Sequence, residues 1–293
     1  MSIPSGIVLI DKPPGITSFQ ALKTIKTRLN TGKVGHTGTL DRFASGLLIA
    51  CVGSFTKLSS YITGMNKEYD ALFYFGQETD TLDPEGKIVR EMPVPDINSI
   101  QPLADTFIGT IKQKPPAFSA VHVAGKRAYN LARKGTDVDL PEREVNIQSI
   151  EITDWTPPEL HCTVVCSKGT YIRSLARDMG RAAGSCAYTK ALRRTKIGAF
   201  SVSRAVDIES FVGEQTLVTG RKCFELLPMI DIVEAKPESI PLIAVGKPLD
   251  TSFFVSPPRH DGLWAVFDGP DTFIALIYKN GAHFKYEFVV SCS

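Results

Sequence analysis

Long apolar runs are missing from this chain. No stretch of about 18 consecutive apolar residues occurs in its 293 residues, so no membrane-spanning helix is expected. The opening MSIPSGIVLIDKPPG lacks the basic stretch and extended apolar segment of an export signal. Its apolar part, Ile7 to Ile10, has the length of a strand, and a cytoplasmic protein is expected. Cysteines are few and badly placed for zinc or for a disulfide framework. Cys51, Cys162, Cys166, Cys186, Cys223 and Cys292 include no Cys-x-x-Cys pair, and none has a histidine at finger spacing. They read as buried free thiols. The five histidines are scattered, no Gly-x-Gly-x-x-Gly follows a strand, GSFTK lacks the glycine spacing of a phosphate loop, and no Gly-x-Ser-x-Gly elbow occurs. Metal, nucleotide-cofactor and serine-hydrolase chemistry therefore lose weight.

The chain does have an uneven charge. Residues 1–100 carry 10 basic and 10 acidic side chains, residues 101–200 carry 15 and 9, and residues 201–293 carry 8 and 12. A positive middle and a negative tail suggest that the middle meets a polyanion, although uneven surface charge explains the same numbers.

Strand-like and helix-like segments mix without a regular βαβ alternation, which favours an α+β fold. GIVLIDK reads as a buried strand stopped by Pro13, Pro14 and Gly15. Thr17 or Ser18 then caps a helix carrying Phe19, Leu22, Ile25 and Leu29 at helical spacing. LLIACVG, KEYDALFYFG, EVNIQSIEITDW, ELHCTVVCS and YTKALRRTKIGAFS read as strands. TKLSSYITG, INSIQPLADTFIG and TYIRSLARDMGRAAG read as helices, and AVDIESFV starts another that Asp207 caps. Residues 119–145 are polar, basic and broken by Gly and Pro, an excursion from the core. A boundary near EAKPESIP separates residues 1–237 from a small β-domain at 238–293, which is marginal in size unless it docks on the rest.

The stretch GHTGTLDRFASGLL, residues 35–48, places a lone carboxylate, Asp41, among glycines and hydroxyls. From its residue types alone, Asp41 is either a turn residue or a reactive group on a shaped loop. The stretch resembles the signature motif of the TruB family, the tRNA pseudouridine-55 synthases. LIDKPPGITS (9–18), KEYDALFYFGQETDTLDPEG (67–86), SAVHVAGKRAYNLARKG (119–135), CSKGTYIRSLARDMG (166–180) and LRRTKIGAF (192–200) agree with that family in the same order.

The resemblance implies a pseudouridine synthase fold: a mixed, mainly antiparallel central sheet flanked by helices and loops, with the small C-terminal β-domain as a divergent or shortened RNA-binding domain. It implies an isomerase that detaches uracil at position 55 of the tRNA T-arm, turns it and rejoins it through carbon. No metal, cofactor, membrane or obligatory protein partner is implied, and a monomer suits an enzyme that must admit a bulky RNA arm. Asp41 falls on the family's essential aspartate, Arg173 on the arginine that pairs with it, and Tyr69 on the tyrosine that stacks on the base. Tyr171 and Leu192 match positions lining the uracil pocket, and His36 a histidine that helps extrude the base. Taken alone, Tyr69 and Leu192 are core residues and His36 a loop histidine bonded to backbone. Lys12 supports the pocket or touches phosphate. Lys126, Arg127, Arg133 and Lys134 of the 119–145 segment would meet phosphates, with Arg193 and Arg194 adding charge near the pocket.

Two departures stand out. Arg42 occupies a position that is often proline in the family, which puts loop rigidity in question. The acidic tail argues for weaker or different RNA contact. Other readings are a same-fold synthase with another RNA target, a non-catalytic tRNA-binding or folding module, and a carboxylate hydrolase using Asp80 and Asp83. The Asp-Pro-Glu-Gly sequence makes those two acids read more simply as a turn.

Overall fold

The computed structural model describes residues 4–119 and 140–290, together with the backbone of 122–123 and 126–127. Its strands in chain order are β1 (Gly6–Lys12), β2 (Val34–His36), β3 (Ser45–Val52), β4 (Lys67–Phe75), β5 (Gln77–Thr79), β6 (Ile88–Glu91), β7 (Gly109–Gln113), β8 (His122–Val123), β9 (Lys126–Arg127), β10 (Arg143–Thr156), β11 (Glu159–Cys166), β12 (Ala187–Ile197), β13 (Phe200–Ser201), β14 (Val206–Asp207), β15 (Ile230–Glu234), β16 (Gly262–Asp268), β17 (Thr272–Asn280) and β18 (His283–Val289). The helices used below are α1 (Ser18–Arg28), α2 (Ser59–Gly64), α3 (Ile97–Thr106) and α4 (Ile172–Ala182).

A ten-stranded sheet runs β14-β1-β3-β12-β4-β11-β10-β7, with β2 and β13 paired at its side. Only β1–β14 and β12–β3 pair in parallel; its other ladders are antiparallel. This is the mixed α+β architecture expected from the sequence.

The alternation of side chains along a strand explains why β1 and β3 are apolar without interruption. Val8, Ile10, Leu48, Ala50 and Val52 face one core, where Leu22 and Ile25 of α1 and Leu175 and Met179 of α4 cover the sheet. Ile7, Leu9, Leu47, Ile49 and Cys51 face a second core closed by Phe224, Phe267, Phe273 and Leu276. The C-terminal sheet, ordered β15-β16-β17-β18, thus docks on the back of the main sheet, supplying burial that a domain of its size lacks by itself. Its first strand, β15, lies ahead of the expected 237/238 boundary and pairs in parallel with β16.

Local signals explain the element ends. Thr17 and Gln20 form a reciprocal capping box at the start of α1, with Thr17 Oγ1 accepting from Gln20 N at 3.2 Å and Gln20 Oε1 accepting from Thr17 N at 2.8 Å. Phe19, expected on the buried face of α1, is 72% exposed. The helix expected after Asp207 does not form. Asp207 Oδ1 accepts from Glu209 N and Ser210 N, and Arg28 takes the carbonyls of Ile208, Glu209 and Phe211. Those acceptors are therefore committed to a guanidinium rather than to a helical ladder. The five described cysteines are buried free thiols, and Cys292 lies outside the described residues.

Candidate active site

The loop from Thr37 to Ala44, between β2 and β3, is tied down at nearly every carbonyl. Ser18 Oγ donates to Leu40 O at 3.1 Å and accepts from Leu40 N at 2.9 Å. Lys12 Nζ donates to Pro13 O, Ile16 O and Ala44 O at 2.9, 2.8 and 2.6 Å. Arg194 reaches Gly38 O, Thr39 O and Leu47 O. Arg42, the residue at odds with the family pattern, donates from Nε to Gly15 O at 2.9 Å and accepts from Gly15 N at 2.8 Å. The loop therefore obtains from a two-way clamp on the Pro-Pro-Gly turn the stiffness that proline supplies elsewhere. At the end of the motif, Gly46 has φ +98°, and a Cβ there would lie 2.3 Å from Arg194 O. Gly46→Ala is expected to cost about 2–4 kcal/mol, read as a lower melting temperature with an unchanged denaturant slope.

Lys12 is fully buried, and all three ammonium hydrogens are used on carbonyls. Of the two roles expected for Lys12, support of the pocket and contact with phosphate or substrate, this geometry leaves the first: it supports the loop. Burial pushes its ammonium down from 10.5 to about 8, partly offset by Asp41. Between those values the unfolded chain binds the proton more tightly than the folded one. The energetic cost of burying the charge is thus present below pH 8 and fades as pH rises toward 10.5. In chemical denaturation, the stability of the wild type relative to Lys12→Met is expected to rise across that window.

The centre of the site is an arginine shared by two acids. Arg173, in the first turn of α4, is 4% exposed, and its Nε lies 2.9 Å from Asp41 Oδ2, while its Nη1 lies 3.0 Å from Asp83 Oδ2. Nη1 also donates to Thr81 O and Nη2 to Phe118 O. The Asp41 contact is close but off the N–H direction, because Arg173 Nε has no aligned acceptor. Charge rather than hydrogen-bond geometry holds this pair. Asp41 keeps 41% of its side chain exposed, against 8% for Asp83.

The sequence offers Asp83 only as a turn residue or as half of a hydrolase acid pair with Asp80. Its Oδ1 accepts from Thr81 Oγ1 at 2.6 Å and Glu85 N at 3.0 Å, so both oxygens are occupied. Burial pushes its carboxyl up, opposed by Thr81 and Arg173. The preceding Leu82 has φ +62°, a left-handed conformation rare for leucine, and Leu82 O accepts from Thr189 N of β12 at 3.1 Å. The turn is thus bent to present Asp83 inward. Asp80, by contrast, accepts from Lys87 N within the β5–β6 hairpin, so Asp80 and Asp83 do not form the acid pair that a hydrolase would need.

A small pocket of about 100 Å³ is lined by Thr39, Leu40, Asp41, Tyr69, Thr170, Tyr171, Ile172, Arg173 and Leu192, and Asp41 is the one carboxylate among them. Asp41, Tyr171 and Arg173 also line an adjoining cleft of about 620 Å³. The structure therefore brings together Asp41, Arg173, Tyr69, Tyr171 and Leu192 from four separate segments, with Tyr171 and Arg173 both at the start of α4. Gln113, another residue missed in the sequence, is fully buried and grips the Tyr171 backbone from both sides, accepting from its N at 2.8 Å and donating to its O at 3.1 Å. The Arg143 guanidinium lies 4.5 Å from the Tyr171 ring centroid. Burial raises the Tyr69 phenol above its usual range, and Arg194 opposes the rise.

The remaining expected residues lie elsewhere. His36 is on β2, with Nδ1 accepting from Gly38 N, and lines neither cavity. Burial, together with the Arg194 charge, lowers its pKa, which favours the neutral ring. Arg193 forms a two-point ion pair with Asp11, which neutralises the charge expected for RNA. Arg194, expected with Arg193 to add charge for the RNA backbone near the pocket, is only 2% exposed and spends its donors on Leu47 O, Thr39 O and Gly38 O, which corrects that expectation. The side chains of Lys126 and Arg127, and Arg133 and Lys134 altogether, lie outside the described residues.

Known structures share this architecture. A chain in a crystal structure of a Cbf5-Nop10-Gar1 complex matches with a TM-score of 0.72 at 25% identity, covering 98% of this chain and 85% of that one. A chain in a structure of an H/ACA RNP bound to a substrate RNA containing 2′-deoxyuridine matches with a TM-score of 0.72 at 23% identity, covering 98% and 86%. The class is that of the pseudouridine synthase fold. Residues 26–172 match the model of the TruB family pseudouridylate synthase, N-terminal domain. The tRNA pseudouridine synthase B of Borreliella burgdorferi (strain ZS7) is 48% identical over 199 residues, covering 67% of this chain and 71% of the relative. That of Bordetella parapertussis is 44% identical over 209 residues, covering 70% and 86%. The chain belongs to the TruB family of pseudouridylate synthases, which are isomerases.

Proposed function

We propose that this isomerase acts on tRNA, converting uridine 55 of the T-arm to pseudouridine, with Asp41 as the acting carboxylate. The observation that carries the reading is the pairing of an accessible Asp41 with a buried Arg173 beside a pocket lined by Tyr69, Tyr171 and Leu192. In the reaction the N1–C1′ bond breaks and a C5–C1′ bond forms. The C5 hydrogen leaves as a proton, and N1 takes one up. No net oxidation occurs, so oriented side chains suffice. Asp41 supplies a carboxylate oxygen at the ribose, Arg173 sets its counter-charge beside that oxygen and aims it, and the rings of Tyr69 and Tyr171 with Leu192 offer flat apolar surface to the base.

The target uridine must leave its stack to reach this pocket, at a cost of a few kcal/mol; His36 in its neutral form assists extrusion from the loop side. Lys126, Arg127, Arg133 and Lys134 contact the RNA backbone. The enzyme works in the cytoplasm as a monomer without an obligatory protein partner.

The test uses the purified chain alone, with a tRNA transcript carrying tritium at uridine C5. Label release and mapping of pseudouridine to position 55 are expected. Release with the modification at another position would move the substrate assignment to another RNA site. Tight binding with no release would leave only an RNA-binding module.

A further inference from the structure

Between Asp11 and Asp41 the chain carries no acid. Residues 12–40 hold five basic side chains and no carboxylate, although the whole chain has 31 acids in 293 residues. Equal counts over residues 1–100, 10 basic and 10 acidic, conceal this run. Two of the five cations are spent inside the protein. Lys12 holds three backbone carbonyls, and Arg28 holds those of Ile208, Glu209 and Phe211. Lys23, Lys26 and Lys33 remain, and none of them forms an ion pair among the described residues.

The helical period of α1 arranges these groups. Ser18, Ala21, Leu22 and Ile25 form its buried face. Phe19, Lys23 and Lys26 follow one another at i, i+4 and i+7, which puts them on a single stripe roughly a quarter-turn away from that face. Arg28 lies on the opposite flank. The head of the stripe stands beside the catalytic loop. Ser18, the neighbour of Phe19, bonds both backbone atoms of Leu40, the residue before Asp41. Thr17 lines the 620 Å³ cleft together with Asp41, Arg42 and Arg173. The Thr17–Gln20 capping box fixes this first turn, so the Phe19 ring, 72% exposed, is presented on a rigid base.

A solitary exposed phenylalanine is ordinary, and Lys26 complements the negative end of the helix dipole. Neither accounts for Lys23, nor for ring and cations meeting in one acid-free line that starts at the cleft wall. That line has a single apolar residue, too few to enter a membrane surface. A flat ring followed by unpaired ammonium groups suits a nucleic-acid strand, whose bases stack on aromatic faces while its phosphates meet cations. We propose that the Phe19–Lys23–Lys26 stripe is a second RNA contact: Phe19 stacks on a base of the strand that leaves the catalytic cleft, and Lys23 and Lys26 take that strand's phosphates. The inference deepens the proposed function and rests on it for the identity of the polyanion. It places RNA-holding charge on α1, an element separate from residues 119–145.

The test measures equilibrium binding of unmodified tRNA transcript over a range of salt. It compares wild type, Lys23→Gln/Lys26→Gln, Lys23→Arg/Lys26→Arg and Phe19→Ala, with melting temperatures to establish that each is folded. The glutamine pair is expected to bind about ten-fold or more weakly near 0.1 M salt, and to reduce the slope of log affinity against log salt by about 1–2. The arginine pair keeps both values. Phe19→Ala is expected to bind about five-fold or more weakly with its slope unchanged, because stacking releases no counterions. In Phe19→Trp, indole emission is expected to be quenched by tRNA beyond any change in wild type. A glutamine pair with wild-type affinity and slope overturns the lysine contacts and leaves a solvated or protein-facing helix. Unquenched emission in Phe19→Trp, with unchanged affinity in Phe19→Ala, overturns the stacking. Wild type that fails to bind tRNA rejects the proposed substrate instead.

Discussion

Asp41→Asn is expected to abolish tritium release from tRNA while leaving tRNA affinity within a few-fold of wild type. The substitution is nearly isosteric and the position is half-exposed, with 41% of the side chain accessible, so the fold has little to lose. Loss of a reacting group lowers kcat on the order of 10⁴-fold or more when no neighbour substitutes for it. No neighbour does here: the other residues lining the small pocket include no acid, and Asp83 has both oxygens occupied and is 6% exposed. Binding is expected to survive because removing one negative charge does not weaken attraction for a polyanion. The measurement is single-turnover release together with a binding isotherm at fixed salt. Residual release within about ten-fold of wild type would remove Asp41 from the chemistry.

The residue types of the Asp41 loop, with glycines, a lone acid and an apolar exit into a strand buried on both faces, left a turn residue and a reactive group equally open, and only the resemblance of the whole stretch to the TruB motif singled out Asp41. What the sequence could not show was how the loop is held. Its fastenings come from residues 12, 15, 18 and 194, and such long-range bonds leave no periodic trace. Arg194 was misread for the same reason. A basic residue next to another on a strand reads as surface charge, yet alternation sends Arg193 outward to Asp11 and Arg194 into the sheet. Asp83 was hidden by a good local explanation. The turn reading is correct, since its Oδ1 does accept from Glu85 N; the second oxygen serves the site. Gln113 carried no signal at all, because a buried glutamine at a strand end is identified only by the backbone it grips.

Arg173→Lys is expected to be the second most damaging change, and Asp83→Asn a graded version of it. One ammonium cannot span what the guanidinium spans: Asp41 on one edge, Asp83 and Thr81 O at Nη1, and Phe118 O at Nη2. Lysine would settle on one acid and leave the other without its counter-charge. Asp83 is the more deeply buried, so its unpaired charge is the costlier, and the ammonium goes there. Asp41 then loses the partner that orients it. A fall in kcat of about 10²-fold or more is expected, with KM nearly unchanged. Asp83→Asn keeps an acceptor for Arg173 but removes one charge, so Arg173 shifts toward Asp41 rather than away, and about a ten-fold fall is expected. The two variants also differ in how stability responds to pH. Because burial raises the Asp83 carboxyl above 3.8, the folded chain holds that proton more tightly than the unfolded chain does. Wild-type stability from this group therefore declines as pH rises from 3.8 through the raised value. Asp83→Asn removes that decline, so its stability relative to wild type should improve from acid to neutral pH in paired denaturant titrations. A constant difference across that range, with kcat unchanged, would show that Asp83 does not bear on Arg173.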